Sequence, residues 1–201
     1  MQDAVVPTRN VENNVLTSTN VPRIKLRIDP SLRFVGRLQF ILYDLAEADV
    51  FVFAEAGDGG MVRRLVIIQF EGYLDNNSYT YKYSSPTTVK VGSHEFLHDY
   101  YATDREHLTE PVRPDSDAAR VYSLLGEEGY VEPVRSVRVR LVRLLGEERR
   151  KELLIIYGES VDDRLEVAES LPANDFIGED HAQLNSELLA RALQAIEVIE
   201  D

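Results

Sequence analysis

The sequence predicts an α+β protein, a curved antiparallel sheet of about six to eight strands packed against a C-terminal helix. Three observations carry this prediction. Short segments with alternating or continuous apolar patterning are joined by turns of hairpin length rich in Gly, Asp and Asn. Strands do not alternate regularly with helices, which argues against a parallel doubly wound sheet. The C-terminal segment carries one broad apolar face at helical spacing.

Taken in order, residues 1–22 are polar, with Asn10, Asn13, Asn14 and Asn20, and read as a flexible arm ahead of a single α+β domain over 23–201. Ile24, Leu26 and Ile28 alternate with Lys25 and Arg27, the pattern of a half-buried strand that Pro30 stops. Residues 34–45 and 50–54 are apolar, and Gly57, Gly59 and Gly60 then turn the chain, since glycine takes the positive φ that tight hairpins need. The return strand over 65–70 is apolar on both faces, like its partner, so the two belong in the middle of the sheet. Residues 78–83 read as a strand with Tyr79, Tyr81 and Tyr83 on one face, ended by Pro86, and residues 87–91 as a short one.

Ser93 is placed to cap a helix reaching about Thr103. Residues 109–114 form a loop, and Ser116 caps a short helix over 117–125 that Gly126 closes. Val137, Val139 and Leu141 alternate with Arg138 and Arg140 in a strand whose arginines suit a sheet edge. The turn at 146–150 returns it into a strand over 153–157. The last element is a helix from Asp180 to about Ile199, with Asp180 and Gln183 as a capping box and Leu184, Leu188, Leu189, Leu193, Ile196 and Ile199 inward. In element order alone, this outline is similar to START-like helix-grip folds and to cystatin-like curved sheets.

The absence of cysteine excludes disulfide scaffolds, thiolate zinc sites, iron–sulfur clusters and a cysteine nucleophile. The net charge is −13, and residues 159–201 hold twelve acidic residues against Arg164 and Arg191, so the remainder is close to neutral. A phosphate backbone is repelled by such a molecule, which disfavours nucleic acid as a partner. No apolar run reaches the ~18 residues of a membrane span and no secretory signal is evident, so a cytoplasmic location away from membranes is expected. Composition leaves the oligomeric state open.

Two groups of residues carry candidate chemistry. His94-Glu95-Phe96-Leu97-His98 resembles the short signature of zinc metallopeptidases. The resemblance implies His94 and His98 as metal ligands on one helix face and Glu95 as general base. The sequence supplies no third ligand at a matching distance, and Asp99 follows where that signature keeps an uncharged residue. Separately, Phe51, Phe53, Gln69, Glu71, Tyr79 and Tyr81 are candidates to line an apolar pocket beneath the C-terminal helix. Glu71 would there be a carboxyl with a raised pKa.

Three functions are therefore expected, in descending order. The first is binding of a small apolar or amphipathic ligand between sheet and C-terminal helix, with no cofactor. The second is a structural or interaction role for the acidic C-terminal region. The third is zinc-dependent hydrolysis through His94, Glu95 and His98, the only reading that calls for a metal.

Overall fold

A computed structural model describes residues 8–85, 87–108 and 111–200. Its strands are β1 (Arg9–Glu12), β2 (Val15–Ser18), β3 (Ile24–Ile28), β4 (Arg33–Leu42), β5 (Ala46–Ala56), β6 (Val62–Tyr73), β7 (Thr88–Val91), β8 (His94–Asp104), β9 (Arg135–Leu145), β10 (Lys151–Ser160) and β11 (Ile196–Val198). The helices are α1 (Asp117–Glu127), α2 (Leu165–Ser170) and α3 (Ala182–Ala195). All pairings between strands are antiparallel, in a seven-stranded sheet of order β4-β5-β6-β10-β9-β8-β7 and a four-stranded sheet of order β1-β2-β3-β11. No helix among the described residues is long and apolar enough to cross a membrane.

The α+β class, the antiparallel sheet and the C-terminal helix are as the sequence predicts. The β5–β6 hairpin sits inside the large sheet, and its turn uses Gly59 and Gly60 at φ of 68° and 79°. A Cβ on Gly60 would lie 2.5 Å from the Gly129 carbonyl oxygen, so only glycine fits there. Period-two alternation gives the large sheet two working faces. Phe51, Phe53, Ile68, Val139, Leu153 and Ile155 pack on one side with Leu16, Leu26 and Ile28 of the small sheet and Leu188 and Ala192 of α3. Val50, Val52, Leu65 and Ile67 face the other way, against Val121 and Leu125 of α1.

Several expectations are corrected. Within the expected flexible arm, residues 9–18 form the β1–β2 hairpin, because Leu16 is fully buried against the large sheet and anchors it; residues 1–7, Pro86 and the start of the loop at Thr109 lie outside the described residues. The helix expected after Ser93 is strand β8. Gly92, at φ 58°, makes a two-residue turn with Ser93, and Phe96 and Ala102 alternate into the core. Ser93 gives its N–H and Oγ to the Glu200 carboxylate instead of capping a helix. The alternating arginines lie on β9, an interior strand rather than an edge. Helix α1 passes through Gly126, and the positive φ behind it belongs to Gly129. Helix α3 has no side-chain cap at its start and ends at Ala195, after which Ile196 and Val198 enter the small sheet beside β3.

The tyrosine row is not a strand. Strands β6 and β7 are separated by β10, β9 and β8, so the chain between them must cross the α1 face of the sheet. Residues 74–85 form that strap. It is fastened in sequence by the Tyr81 N–H on the Arg149 carbonyl (2.8 Å), the Tyr83 hydroxyl on Glu152 and the Ser85 hydroxyl on the His98 carbonyl.

Candidate functional site

Strand β8 decides the fate of the histidine pair. Four residues along a strand span about 13 Å, whereas two zinc ligands each place a nitrogen ~2 Å from one ion. His94 is opposite Val91 and His98 opposite Leu141, so the helical face that the zinc signature requires does not form. Glu95 is exposed and accepts a hydrogen bond from Thr88 Oγ1 at 3.2 Å. Burial lowers the pKa of both histidines, most directly for His98, whose ring meets Tyr100 edge-on at 5.4 Å. No group of three or more metal-ligating side chains is gathered among the described residues.

The expected pocket residues divide between the two faces of the large sheet. Phe51 and Phe53 are 1% and 0% exposed and packed on the small-sheet side, Phe51 edge-on to Phe70 at 6.2 Å. Gln69 and Glu71 point to the α1 side, because their parity on β6 is opposite to that of Ile68 and Phe70. There Tyr81 joins them, stacked on Tyr73 at 4.3 Å, while Tyr79 is mostly exposed. Thus Gln69, Glu71 and Tyr81 form one constellation, and the two phenylalanines are remote from it.

That constellation has a member the sequence reading missed. Glu152 of β10 is directly opposite Glu71 in the β6–β10 register. Gln69 Nε2 donates to Glu71 Oε2 (2.5 Å), Tyr81 to Glu71 Oε1 (2.7 Å), and Tyr83 to both oxygens of Glu152 (3.0 and 2.8 Å). Burial raises the pKa of both carboxyls and pushes Glu152 up to about 8, with the neighbouring Glu71 charge adding to it. Burial likewise raises the phenols of Tyr81 and Tyr83, so both remain donors. The nearest cation, Arg140, is engaged by Asp99 through Nε (3.0 Å) and Nη2 (2.6 Å) and lies over the Tyr83 ring at 5.1 Å. Glu152 is 2% exposed and Glu71 half-buried, and together they fasten the strap to the sheet.

Beside it lies an open cleft of about 810 Å³. Its position follows from the outer edge of β8. Strand β7 covers one half of that edge, and the segment after α2 covers the other through Ala102 N–H to Asp175 O (3.0 Å) and Ile177 N–H to Tyr100 O (2.9 Å). The cleft opens between them, around His98 and Tyr100. Tyr83 of the strap, Phe176 and Leu189 of α3 supply further apolar wall, and Asp99, Arg140 and Asn185 supply polar groups. The Arg140 guanidinium sits 5.8 Å from the Phe176 ring centre, and Phe176 is 60% exposed. His98 Nδ1 and Asn185 Oδ1 are two of four buried side-chain polar atoms without a hydrogen-bond partner among the described residues, and both residues line this cleft. A second cleft, about 790 Å³, runs past Glu71 and Tyr73, but the charges of Arg9 and Asp49 along it already satisfy each other at 3.1 Å.

Of the cleft residues, the sequence singled out His98, Asp99, Arg140, Leu189 and Tyr83 of the tyrosine row, each for a reason other than this cleft. Phe176, an aromatic in an otherwise polar acidic loop, is the one signal that pattern reading could have used. No family model matches the chain, and no curated protein or solved structure matches it.

Proposed function

We propose that the protein binds a small amphipathic molecule in the cleft between the C-terminal helix and the outer edge of β8. The observation that carries this reading is the convergence of apolar side chains from four separate segments, Tyr83, Tyr100, Phe176 and Leu189, on one opening. The volume of about 810 Å³ falls within the ~300–1,000 Å³ of small-molecule sites. Exposed Phe176 and the unpartnered His98 and Asn185 atoms are each costly until something covers or pairs them. Phe51, Phe53 and Tyr79, expected as pocket residues, have no part in this reading, and Glu71 and Tyr81 enter it only through the strap.

The test uses 8-anilinonaphthalene-1-sulfonate, an amphipathic probe with a fluorescent response to apolar surroundings. The intact protein is expected to bind it saturably. Leu189→Ala and Phe176→Ala should each weaken binding about five- to tenfold, the equivalent of ~1–1.4 kcal/mol of lost contact. Ser186→Trp, at an exposed cleft position, should block it without touching the core. Affinity unchanged in all three variants would place the probe elsewhere and end the proposal.

A further inference from the structure

The strap that walls the cleft is fastened to the sheet through two carboxyl groups that face each other. At directly opposed positions of an antiparallel pair, Cβ atoms lie about 4.5–5.5 Å apart, and like charges there repel. Glu71 and Glu152 hold such positions, with the strap's Tyr81 and Tyr83 bonded to them. The other charged or titratable groups around the pair are Tyr73 of β6, Arg140 of β9 with its partner Asp99 of β8, Asp117 at the start of α1 and Tyr43 in the β4–β5 turn. Among the described residues Arg140 is the cation acting on the pair itself, and Asp99 occupies it; Arg150, over the Tyr73 ring, is taken up by the carbonyls of Leu74 and Tyr79. Ionising the pair therefore places two negative charges in a buried site with no free counter-ion among the described residues.

We propose that Glu71 and Glu152 form a proton-operated latch on the cleft wall: the strap stays seated while the pair holds its protons, and lifts away from the cleft when the pair ionises. This rests on the cleft reading above. Lifting removes Lys82, Tyr83, Ser84 and Ser85 from the cleft lining. The hydroxyl of Tyr83 favours the ionised form of Glu152, but burial outweighs it and leaves Glu152 at about 8. A lifted strap returns that carboxyl to water and to its ordinary 4.5, so lifting releases a proton at any pH between those two values. The seated state is thus fully favoured at low pH, weakens up to about tenfold per pH unit through that window, and levels off above about pH 8. Arg150, donating to the carbonyls of Leu74 and Tyr79, holds the near end of the strap and makes it a hinged flap.

Hydrogen exchange at the Tyr81 amide, corrected for its intrinsic rate, reads the latch in the full-length chain without any ligand. Its protection should fall at least tenfold between pH 5 and pH 8 and then level off. In Glu152→Gln, which mimics the protonated acid and still accepts from Tyr83, the pH dependence should shrink to what Glu71 alone contributes, and with Glu71→Gln added protection should be flat. Tyr83→Phe keeps the ring in the wall and drops the bond, and should lower protection already at pH 5. Affinity for 8-anilinonaphthalene-1-sulfonate should track the wild-type curve, depend less on pH in Glu152→Gln and be pH-independent when Glu71→Gln is added. A flat wild-type curve, or the same slope in Glu152→Gln, overturns the latch. Falling Tyr81 protection with constant probe affinity overturns its link to the cleft. A probe that fails to bind even at pH 5 overturns the cleft reading, and the latch as its regulator, whatever the Tyr81 amide does.

Discussion

Asp49 shows what a buried carboxylate looks like when it is structural. It is 6% exposed on β5 and receives Arg37 through Nε (2.7 Å) and Nη2 (2.8 Å), and Arg9 through Nη1 (3.1 Å). The guanidinium of Arg9 lies 4.1 Å over Phe70, and that of Arg37 5.1 Å over Phe51, so this ion cluster ties the β1–β2 hairpin to the large sheet. Removing one partner of a buried pair leaves the other charges uncompensated, at ~3–5 kcal/mol. Asp49→Ala is therefore expected to lose about 3 kcal/mol in urea unfolding; a loss below about 1 kcal/mol would show the cluster to be solvated. Glu152 fastens the strap with no arginine of its own, and this contrast is what opens it to the proton control proposed for the latch. Neither residue announces itself in the sequence. Both are acids in strands, and their difference lies in the strands that happen to be adjacent.

At the level of elements, what was legible is what is local. The β5–β6 and β9–β10 hairpins close over a few residues, and their turn glycines and apolar flanks can be read directly. Strand β8 was misread because His94-Glu95-Phe96-Leu97-His98 satisfies helical spacing as well as strand alternation, and pairing with β7 and β9 settles it. The zinc signature fell with that helix. Pairing of β11 with β3 joins segments some 170 residues apart, and no local pattern encodes it. Two glycines test the revised elements. Gly92 has φ 58°, and an added Cβ would lie 2.9 Å from the Val198 Cβ, so Gly92→Val should cost roughly 1–3 kcal/mol through strain and displacement of β11. Gly126 sits inside α1 with nothing within 4 Å, so Gly126→Ala should instead stabilise by up to about 1 kcal/mol. Thermal unfolding of the two variants reads both signs, and destabilisation by Gly126→Ala would return the end of α1 to Gly126.

For the whole molecule, the C-terminal segment is a shared component of both sheets. Leu188 and Ala192 of α3 are fully buried in the core of the large sheet, and Ile196, 1% exposed, continues directly into the small one. The sequence reading grasped that this face must be covered, because leaving a leucine-sized side chain in water costs ~1.5–3 kcal/mol. It did not anticipate a second sheet, since β1 and β2 lie in a stretch whose polarity masks the buried Leu16. Helix α3 also carries Leu189 and Asn185 to the cleft, so the same helix that closes the core builds the proposed binding wall. Deleting residues 182–201 should then remove a core layer, the edge strand of the small sheet and one side of the cleft together. The expected product aggregates, or binds 8-anilinonaphthalene-1-sulfonate non-saturably with loss of a cooperative melt. A helix that merely decorated the surface would leave a truncated chain that is monomeric and melts at the wild-type temperature. That result would detach α3 from the core and turn its apolar face into a docking surface for a partner.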